Sequence, residues 1–294
     1  MLMSANGIAL EVEDHGSPHG EPLVLIMGMG MQLVAWDREF VASLVAQGFR
    51  VLRFDNRDIG LSQSFDHCGA PNLTTLSMKF AFGMKVTSPY TLADMADDTV
   101  GLLDAFGLRN AHVCGASMGG MIAQQLAARH PSRVKSLTLM MTSSGLGRMP
   151  GPSLLVRRAM LSWPKDPTNV ECVTDHYVRL YQLIGSPGYP SSHAYLSDRL
   201  GMSVRRSYRP QASARQLVAI AADSDRAALL GLINAPVQVI HGSDDPLVPV
   251  AAAHDLAARI RGAKLDVVDG MGHDLPVALW PRFVTGIRAA AGRA

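Results

Sequence analysis

A serine between small residues stands where the chain could carry out nucleophilic chemistry. The stretch HVCGASMGGM, residues 112–121, has the pattern G-x-S-x-G, with Gly115 and Gly119 on either side of Ser117. An apolar run precedes it and helical spacing follows it, the strand–turn–helix setting that lifts a serine hydroxyl above a sheet edge. Small neighbours let strand and helix approach each other. The pattern predicts a nucleophile at Ser117, with a role as N-cap of the following helix as the alternative.

A serine nucleophile needs a base and an acid that orients the base. His273 lies in the glycine-rich stretch VVDGMGHDLP, directly after a predicted strand, and is the histidine best placed at a sheet edge. The stretch HGSDDPLVP follows the preceding strand and offers Asp244 and Asp245. Asp245 precedes a proline, which favours extended backbone. We therefore predict Asp245 as the acid and a turn hydrogen bond for Asp244.

Other titratable positions have structural explanations. His254 falls within a predicted helix, His130 ends a helix, and His241 ends a strand. The stretch MMTSSG after the strand at 134–142 contains no acid, so the other acid position that we considered is empty. The sequence therefore favours His273 and Asp245 as the partners of Ser117.

A second glycine loop, IMGMGMQ, also follows a strand. Gly28 and Gly30 begin the dinucleotide-binding pattern G-x-G-x-x-G, but Leu33 occupies the third glycine position, which argues against a nicotinamide enzyme. In serine hydrolases such a loop supplies one oxyanion-hole amide, and the residue after the nucleophile supplies the other. The predicted donors are the backbone N–H groups of Met29 and Met118.

Strands and helices alternate along most of the chain, which predicts a parallel sheet with helices on both faces. Strands are predicted at 7–16 (an edge strand), 22–28, 50–55, 110–116, 134–142, 235–242 and 263–270. Helices are predicted at 33–49, 91–108 (with Thr91 as N-cap), 118–131, 250–260 and 275–291. The alternation stops between 143 and 232, where prolines, glycines and short helical stretches prevail. We predict a core of residues 1–142 and 233–294 and a helical cap of residues 143–232.

Composition limits the classes of partner. A net charge of +2 over 294 residues argues against nucleic acid as the main partner. The N-terminus lacks the features of a secretory signal, and no apolar run is long enough to span a membrane. Three scattered cysteines without a C-x-x-C pair predict neither disulfides nor a metal site and favour the cytoplasm. We expect a monomer or a homodimer without cofactor or metal.

These motifs resemble the α/β-hydrolase superfamily over nearly the whole chain. The resemblance is greatest to the serine carboxylesterase branch that includes aclacinomycin methyl esterases, and it is carried by LVLIMGMGM, RVLRFDNRDIGLS, GASMGGMIAQ, VIHGSDDPLVP and GMGHDLP. It implies an α/β-hydrolase fold with an eight-stranded, mostly parallel sheet, a lid after the sixth strand, and the catalytic order Ser117, Asp245, His273. Asp58 belongs to the R-D-x-G-x-S form of the methyl-esterase-like group, where many relatives carry glycine.

The chain also departs from the family pattern. Met27 stands where a histidine usually precedes the oxyanion glycine, as in the methyl-esterase-like group. Residues 65–89 form a longer excursion than usual. Its apolar part, LSMKFAFGM, has two interpretations: it lines or covers the site, or it is a buried surface helix. The sequence leaves both open.

Together the motifs predict a carboxylic ester hydrolase that works through an acyl-enzyme. The sixteen methionines, several of them at 27–31, 78–84 and 118–121, suggest an adaptable apolar pocket for uncharged acyl esters. The same three catalytic residues would serve a lactonase, a C–C bond hydrolase or a cofactor-free perhydrolase, because fold and triad do not define the substrate. A receptor for small molecules with slow turnover is the alternative from another class.

Overall fold

The computed structural model describes residues 1–145, 150–223 and 226–294. Its eight strands form one sheet in the order β1-β2-β4-β3-β5-β6-β7-β8. They are β1 Leu2–Ala5, β2 Ile8–His15, β3 Glu21–Ile26, β4 Phe49–Phe54, β5 Ala111–Ala116, β6 Val134–Met140, β7 Val237–Gly242 and β8 Lys264–Val268. β1 and β2 pair antiparallel with their neighbours, and all pairs from β4 to β8 are parallel. The predicted eight-stranded, mostly parallel sheet is confirmed.

The prediction that residues 7–16 form an edge strand is wrong. β2 lies between β1 and β4, and β1 is the edge. β1 has only four residues and was missed because it is too short to show a clear alternation. The turn that joins the two strands, Asn6-Gly7, has positive φ at both residues, as a two-residue hairpin requires. This Asn-Gly pair was the available sequence signal for the extra strand.

The helices lie on both faces of the sheet. They are α1 Arg38–Val45, α2 Leu73–Ala81, α3 Leu92–Ala105, α4 Met118–Arg129, α5 Leu154–Met160, α6 Val170–Ile184, α7 His193–Arg206, α8 Pro210–Ala222, α9 Arg226–Leu229, α10 Ala251–Arg259 and α11 Trp280–Ala291. α3, α4 and α10 cover one face of the sheet, and α1 and α11 cover the other. Alternate residues of β3 point to the two faces, Val24 to the first and Leu25 to the second, as the strand period requires.

Helix boundaries follow local capping signals. Thr91 caps α3 as predicted, and the Asp94 side chain completes a capping box. The single helix predicted over 33–49 is instead a short 3₁₀ turn followed by α1, because the Asp37 side chain accepts the Glu39 N–H and starts a new helix there. The last helix begins at Trp280 rather than at 275, after a second 3₁₀ turn.

The segment between β6 and β7 carries α5 to α9. Two ion pairs connect it to the loop after β4: Arg206 of α7 lies 2.7 Å from Asp55, and Arg215 of α8 lies 2.6 Å from Asp58. Both carboxylates are fully buried. The helical content agrees with the predicted cap, whose boundaries at 143 and 232 stay a prediction. Parts of that cap, residues 146–149 and 224–225, lie outside the described residues.

Neither interpretation of the excursion at 65–89 describes the structure. α2 lies within it, and Met78 and Met84 are each 57% exposed. None of its described residues lines the cavity at the candidate site. The apolar pattern of this stretch therefore belongs to an exposed helix rather than to a pocket wall or a buried one.

No helix among the described residues is long and apolar enough to cross a membrane.

Candidate active site

Ser117 stands at a strained turn between β5 and α4. Its backbone has φ 54° and ψ −119°, a conformation that is costly for a residue with a side chain. Ser117 occupies the N-cap position of α4, but its side chain accepts no hydrogen bond from the helix. The role of a simple cap, which the sequence left as an alternative, is therefore absent at this described helix end. The strain holds the hydroxyl free of the backbone.

The glycines around Ser117 allow the strand and the helix to touch. A Cβ atom at Gly115 would lie 2.2 Å from the carbonyl oxygen of Gly119. A Cβ atom at Gly119 would lie 2.0 Å from the carbonyl oxygen of Ile26, in β3. Both distances are shorter than real contacts, so a larger side chain at either position would move the turn. The small residues of the motif thus have a steric cause.

The three residues predicted to form the relay lie together. The Nε2 atom of His273 is 3.0 Å from the Oγ atom of Ser117, and its Nδ1 atom is 2.7 Å from Oδ2 of Asp245. The ionised carboxylate only accepts hydrogen bonds, so Nδ1 carries the proton and Nε2 is free to accept the serine proton. Because β5, β7 and β8 are parallel, the loops at their carboxyl ends share one edge of the sheet.

Asp245 and Asp244 have different surroundings. The second carboxylate oxygen of Asp245, Oδ1, accepts the backbone N–H groups of Leu247 and Val248 at 2.9 and 2.8 Å. The Asp244 carboxylate instead accepts the Ser243 hydroxyl and the Gly270 N–H, on the outer side of the turn. The structure therefore places Asp245 at the imidazole and leaves Asp244 with the turn.

The other histidines considered in the sequence lie in structural positions. His241 donates from Nε2 to the carbonyl oxygen of Val248 at 2.7 Å, and burial lowers its pKa. His130 pairs with Asp97 at 2.8 Å, and His254 is exposed on α10. His241 also lies 3.5 Å from the Asp245 carboxylate, so it is a neighbour of the relay from beneath.

The two predicted oxyanion donors lie on opposite sides of Ser117. Met118 is the first residue of α4, where a helix N–H has no partner one turn back. The loop of Met29 lies close by, since a Cβ atom at Gly28 would be 3.2 Å from the Cβ atom of Ser117. The N–H of Gly30 donates to Oε1 of the buried Gln216 at 2.8 Å, which holds this loop. The oxyanion roles themselves stay a prediction.

A cavity of about 270 Å³ opens above Ser117 and His273. Its described wall is largely apolar. Five methionines line it: Met27, Met29, Met31, Met141 and Met160. The methionines at 78–84 and 118–121 do not, so the sequence interpretation holds for the loop at 27–31 alone of the three groups that suggested it. Helices α6 and α7 supply the tyrosines of the wall, Tyr177, Tyr181 and Tyr195.

Polar groups in the cavity wall are mostly satisfied by neighbours. Arg199 lies 3.2 Å from the Asp37 carboxylate and also donates to the carbonyl oxygen of Val34. The Tyr181 hydroxyl donates to the Met31 sulfur at 2.9 Å. Burial raises the pKa of Asp274 and raises the pKa of Tyr177 to about 12. The cavity therefore presents an apolar wall in which the arginine charge is already paired.

Sequence reasoning missed Gln216, Arg199 and Asp274. Gln216 and Arg199 come from the helical insert and reach the site only through folding, so no local pattern marks them. Asp274 was in view beside His273 but carried no distinguishing signal. Within the described ranges, no group of three or more His, Cys, Asp or Glu side chains is arranged to hold a metal ion.

Comparison with known proteins agrees with this geometry. A family described as "alpha/beta hydrolase fold" matches residues 21–170. Rhodomycin D methylesterase DauP from Streptomyces sp. (strain C5) is 28% identical over 98% of this chain and 96% of its own length. The 2-hydroxymuconate semialdehyde hydrolase of Pseudomonas sp. (strain CF600) is 29% identical over 96% of this chain and 89% of its own.

Among solved structures, the meta-cleavage product hydrolase CumD from Pseudomonas fluorescens IP01 has the same fold. The TM-score is 0.76 at 20% sequence identity, and the match covers 100% of this chain and 97% of that one. The resemblance that the motifs suggested is confirmed at the level of family and fold. The chain belongs to the α/β-hydrolase family.

Proposed function

We propose that this α/β-hydrolase cleaves carboxylic esters with Ser117 as its nucleophile. The observation that carries the proposal is the relay from Ser117 through His273 to Asp245, with distances of 3.0 and 2.7 Å, at the floor of an apolar cavity. A similar chain, rhodomycin D methylesterase, is an esterase by name. Ester hydrolysis is the reaction that this combination supports best.

The distances allow each proton transfer of the reaction. Nε2 of His273 takes the Ser117 proton as the hydroxyl attacks the ester carbonyl, while Asp245 stabilises the imidazolium that forms. The backbone N–H groups of Met29 and Met118 receive the negative charge of the carbonyl oxygen. His273 then gives its proton to the departing alkoxide. Water hydrolyses the acyl-enzyme by the same steps in reverse.

The cavity defines the acyl group that we expect. A cavity of about 150 Å³ holds benzene, so 270 Å³ accommodates an apolar group of roughly ten carbon atoms. An uncharged acyl group fits best, because the wall is apolar and burying an unpaired charge there is costly. We propose neutral esters of medium acyl length, with methyl esters among them, as substrates.

C–C bond hydrolysis is the second candidate, since a similar chain is a 2-hydroxymuconate semialdehyde hydrolase. A muconate carries a carboxylate, which a binding site must neutralise. The one arginine or lysine in the described cavity wall, Arg199, is already paired with Asp37 at 3.2 Å. The pairing favours the neutral ester. Lactonase, perhydrolase and slow receptor activities remain alternatives that the same test addresses.

A panel of p-nitrophenyl esters of increasing acyl length tests the proposal, with the methyl ester of the best acyl group as a further substrate. The wild type is expected to turn over many times, with kcat/KM highest at medium length. Ser117→Ala should lower kcat by about 10⁶-fold. Ser191→Ala, which changes another serine of the cavity wall, is the matched control and should retain activity.

A labelling experiment identifies the nucleophile independently. An organophosphonate should modify Ser117 and leave the Ser117→Ala protein unmodified, as peptide mass spectrometry would show. Full ester turnover by Ser117→Ala would refute the mechanism. Labelling without turnover of any ester would favour the receptor, and cleavage of a carboxylate-bearing dienoate in preference to esters would favour the C–C hydrolase.

A further inference from the structure

The loop that carries His273 is held by a segment of the helical insert. We call residues 269–274 the histidine loop and residues 184–188, which begin at the end of α6, the clamp segment. The backbone N–H of His273 donates to the carbonyl oxygen of Ile184 at 2.7 Å. The N–H of Gly188 donates to the carbonyl oxygen of Gly270 at 2.8 Å. The backbone of the predicted base is therefore bonded to the insert rather than to the sheet.

Ser186 adds two side-chain contacts at the centre of the clamp segment. Its Oγ atom accepts the N–H of Gly272 at 2.9 Å and donates to Oδ1 of Asp274 at 2.5 Å. Gly272 and Asp274 flank His273 in the sequence, and Ser186 is only 3% exposed. One buried hydroxyl thus connects both neighbours of the base.

Glycines let the two segments come this close. A Cβ atom at Gly188 would lie 3.0 Å from the Cα atom of Gly270. A Cβ atom at Gly272 would lie 2.3 Å from the carbonyl oxygen of Gly185. Side chains at these positions would push the histidine loop away from the clamp segment. The contact therefore depends on the glycines of IGSPG and DGMG, two stretches far apart in the sequence.

The contact also affects the charge beside the base. Burial raises the pKa of Asp274, and the hydroxyl and backbone amide of Ser186 oppose this by stabilising the ionised carboxylate. Without Ser186, a buried carboxyl group next to His273 would lose its donors. Such a group either takes up a proton or moves toward other partners.

We infer that the clamp segment, with Ser186 at its centre, keeps the His273 imidazole aligned with Ser117 and Asp245. Ser186 is then a positioning residue contributed by the insert. The inference rests on the proposed function. Its physical basis is that the imidazole must meet two partners at once, 3.0 and 2.7 Å away, while its loop has no helix or strand of its own. A misplacement of about 1 Å costs about 100-fold in rate.

Ser186→Ala tests the inference, with Ser136→Ala as the matched control. Ser136 is also a buried serine, 2% exposed, and its hydroxyl bonds to His112 between β5 and β6. Ser186→Ala should lower kcat by about 10- to 100-fold with KM changed by less than about twofold. Ser136→Ala should leave both constants near the wild-type values, although its stability falls comparably. Equal kcat values for the two variants would overturn the inference.

Gly188→Ala is a second perturbation that removes no hydrogen-bonding group. It should lower kcat in the same way, because its Cβ atom forces the clamp segment away from Gly270. Gly231→Ala is its control, since a Cβ atom at Gly231 meets nothing within 4 Å. If Gly188→Ala kept the wild-type kcat, close contact between the two segments would not matter for positioning.

A spectroscopic measurement separates this inference from the proposed function. The proton between Nδ1 of His273 and Asp245 should give a low-field ¹H NMR resonance in the wild type. Ser186→Ala should broaden or shift that resonance, and Ser136→Ala should preserve it. This measurement needs no substrate, so it tests the clamp segment even if no ester is cleaved. An unchanged resonance in Ser186→Ala would overturn the inference.

Discussion

Replacing Asp245 by asparagine should stop catalysis by reversing one hydrogen bond. In the wild type, Oδ1 accepts the N–H groups of Leu247 and Val248, while Oδ2 accepts the Nδ1–H of His273. An asparagine keeps its oxygen toward the two backbone donors, so its NH₂ group faces Nδ1. The imidazole must then carry its proton on Nε2, where it cannot accept the proton of Ser117.

The two backbone donors determine the size of the effect. Turning the amide round would place NH₂ against the N–H groups of Leu247 and Val248, and each unsatisfied donor costs about 1–3 kcal/mol. The amide is therefore held in the unproductive orientation. In a serine protease the corresponding exchange lowers kcat about 10⁴-fold through the wrong tautomer. We expect a similar loss for Asp245→Asn, about 5.4 kcal/mol in the activation free energy.

The assay is steady-state hydrolysis of the best p-nitrophenyl ester, with Asp244→Asn as the matched control. Asp244 is the adjacent carboxylate and bonds only within the turn toward Ser243 and Gly270. It should keep kcat within about threefold, because the relay hydrogen bonds are untouched. The reasoning would be refuted if Asp245→Asn retained more than about a tenth of the wild-type kcat, or if Asp244→Asn lost as much activity.

Two further predictions concern stability. Arg215→Met leaves the fully buried Asp58 without its cation and should lower the unfolding free energy by about 3–5 kcal/mol in urea denaturation. Arg282→Met, which breaks a half-exposed pair, should cost less than about 1 kcal/mol, and equal losses would contradict this. Burial lowers the pKa of His112 in the folded state, so the unfolded state binds more protons below its ordinary pKa of about 6.5 and stability falls as the pH falls. His112→Gln should make this loss between about pH 7.5 and about pH 5.5 shallower, and an unchanged slope would contradict the assignment.

Much of the core was predictable because its signals are local. The apolar runs at β3, β5 and β7 and the capping box at Thr91 depend on side chains a few residues apart. The exceptions are also local in origin. β1 was too short to show alternation, and the caps at Asp37 and Trp280 divided helical patterns that looked continuous.

The candidate relay was predictable for a different reason. Parallel strands place the loops at their carboxyl ends along one edge, so three motifs that each follow a strand must converge. Ser117, Asp245 and His273 could therefore be proposed together from their order and spacing, and their catalytic roles stay a prediction. The sequence alone could not say whether the Ser117 hydroxyl caps its helix, because that depends on a backbone conformation with φ 54°.

The contribution of the helical insert was decided by tertiary structure alone. Arg199, Ser186 and Gln216 meet the site across more than eighty residues of chain, through side-chain contacts that no periodicity encodes. The same holds for the exposed α2, whose apolar residues suggested a pocket wall. The sequence by itself determined the strands, the main helices and the convergence of three motifs, since these follow from local pattern and strand direction. The cavity wall and the clamp on His273 required the fold, because they arise where distant segments pack against each other.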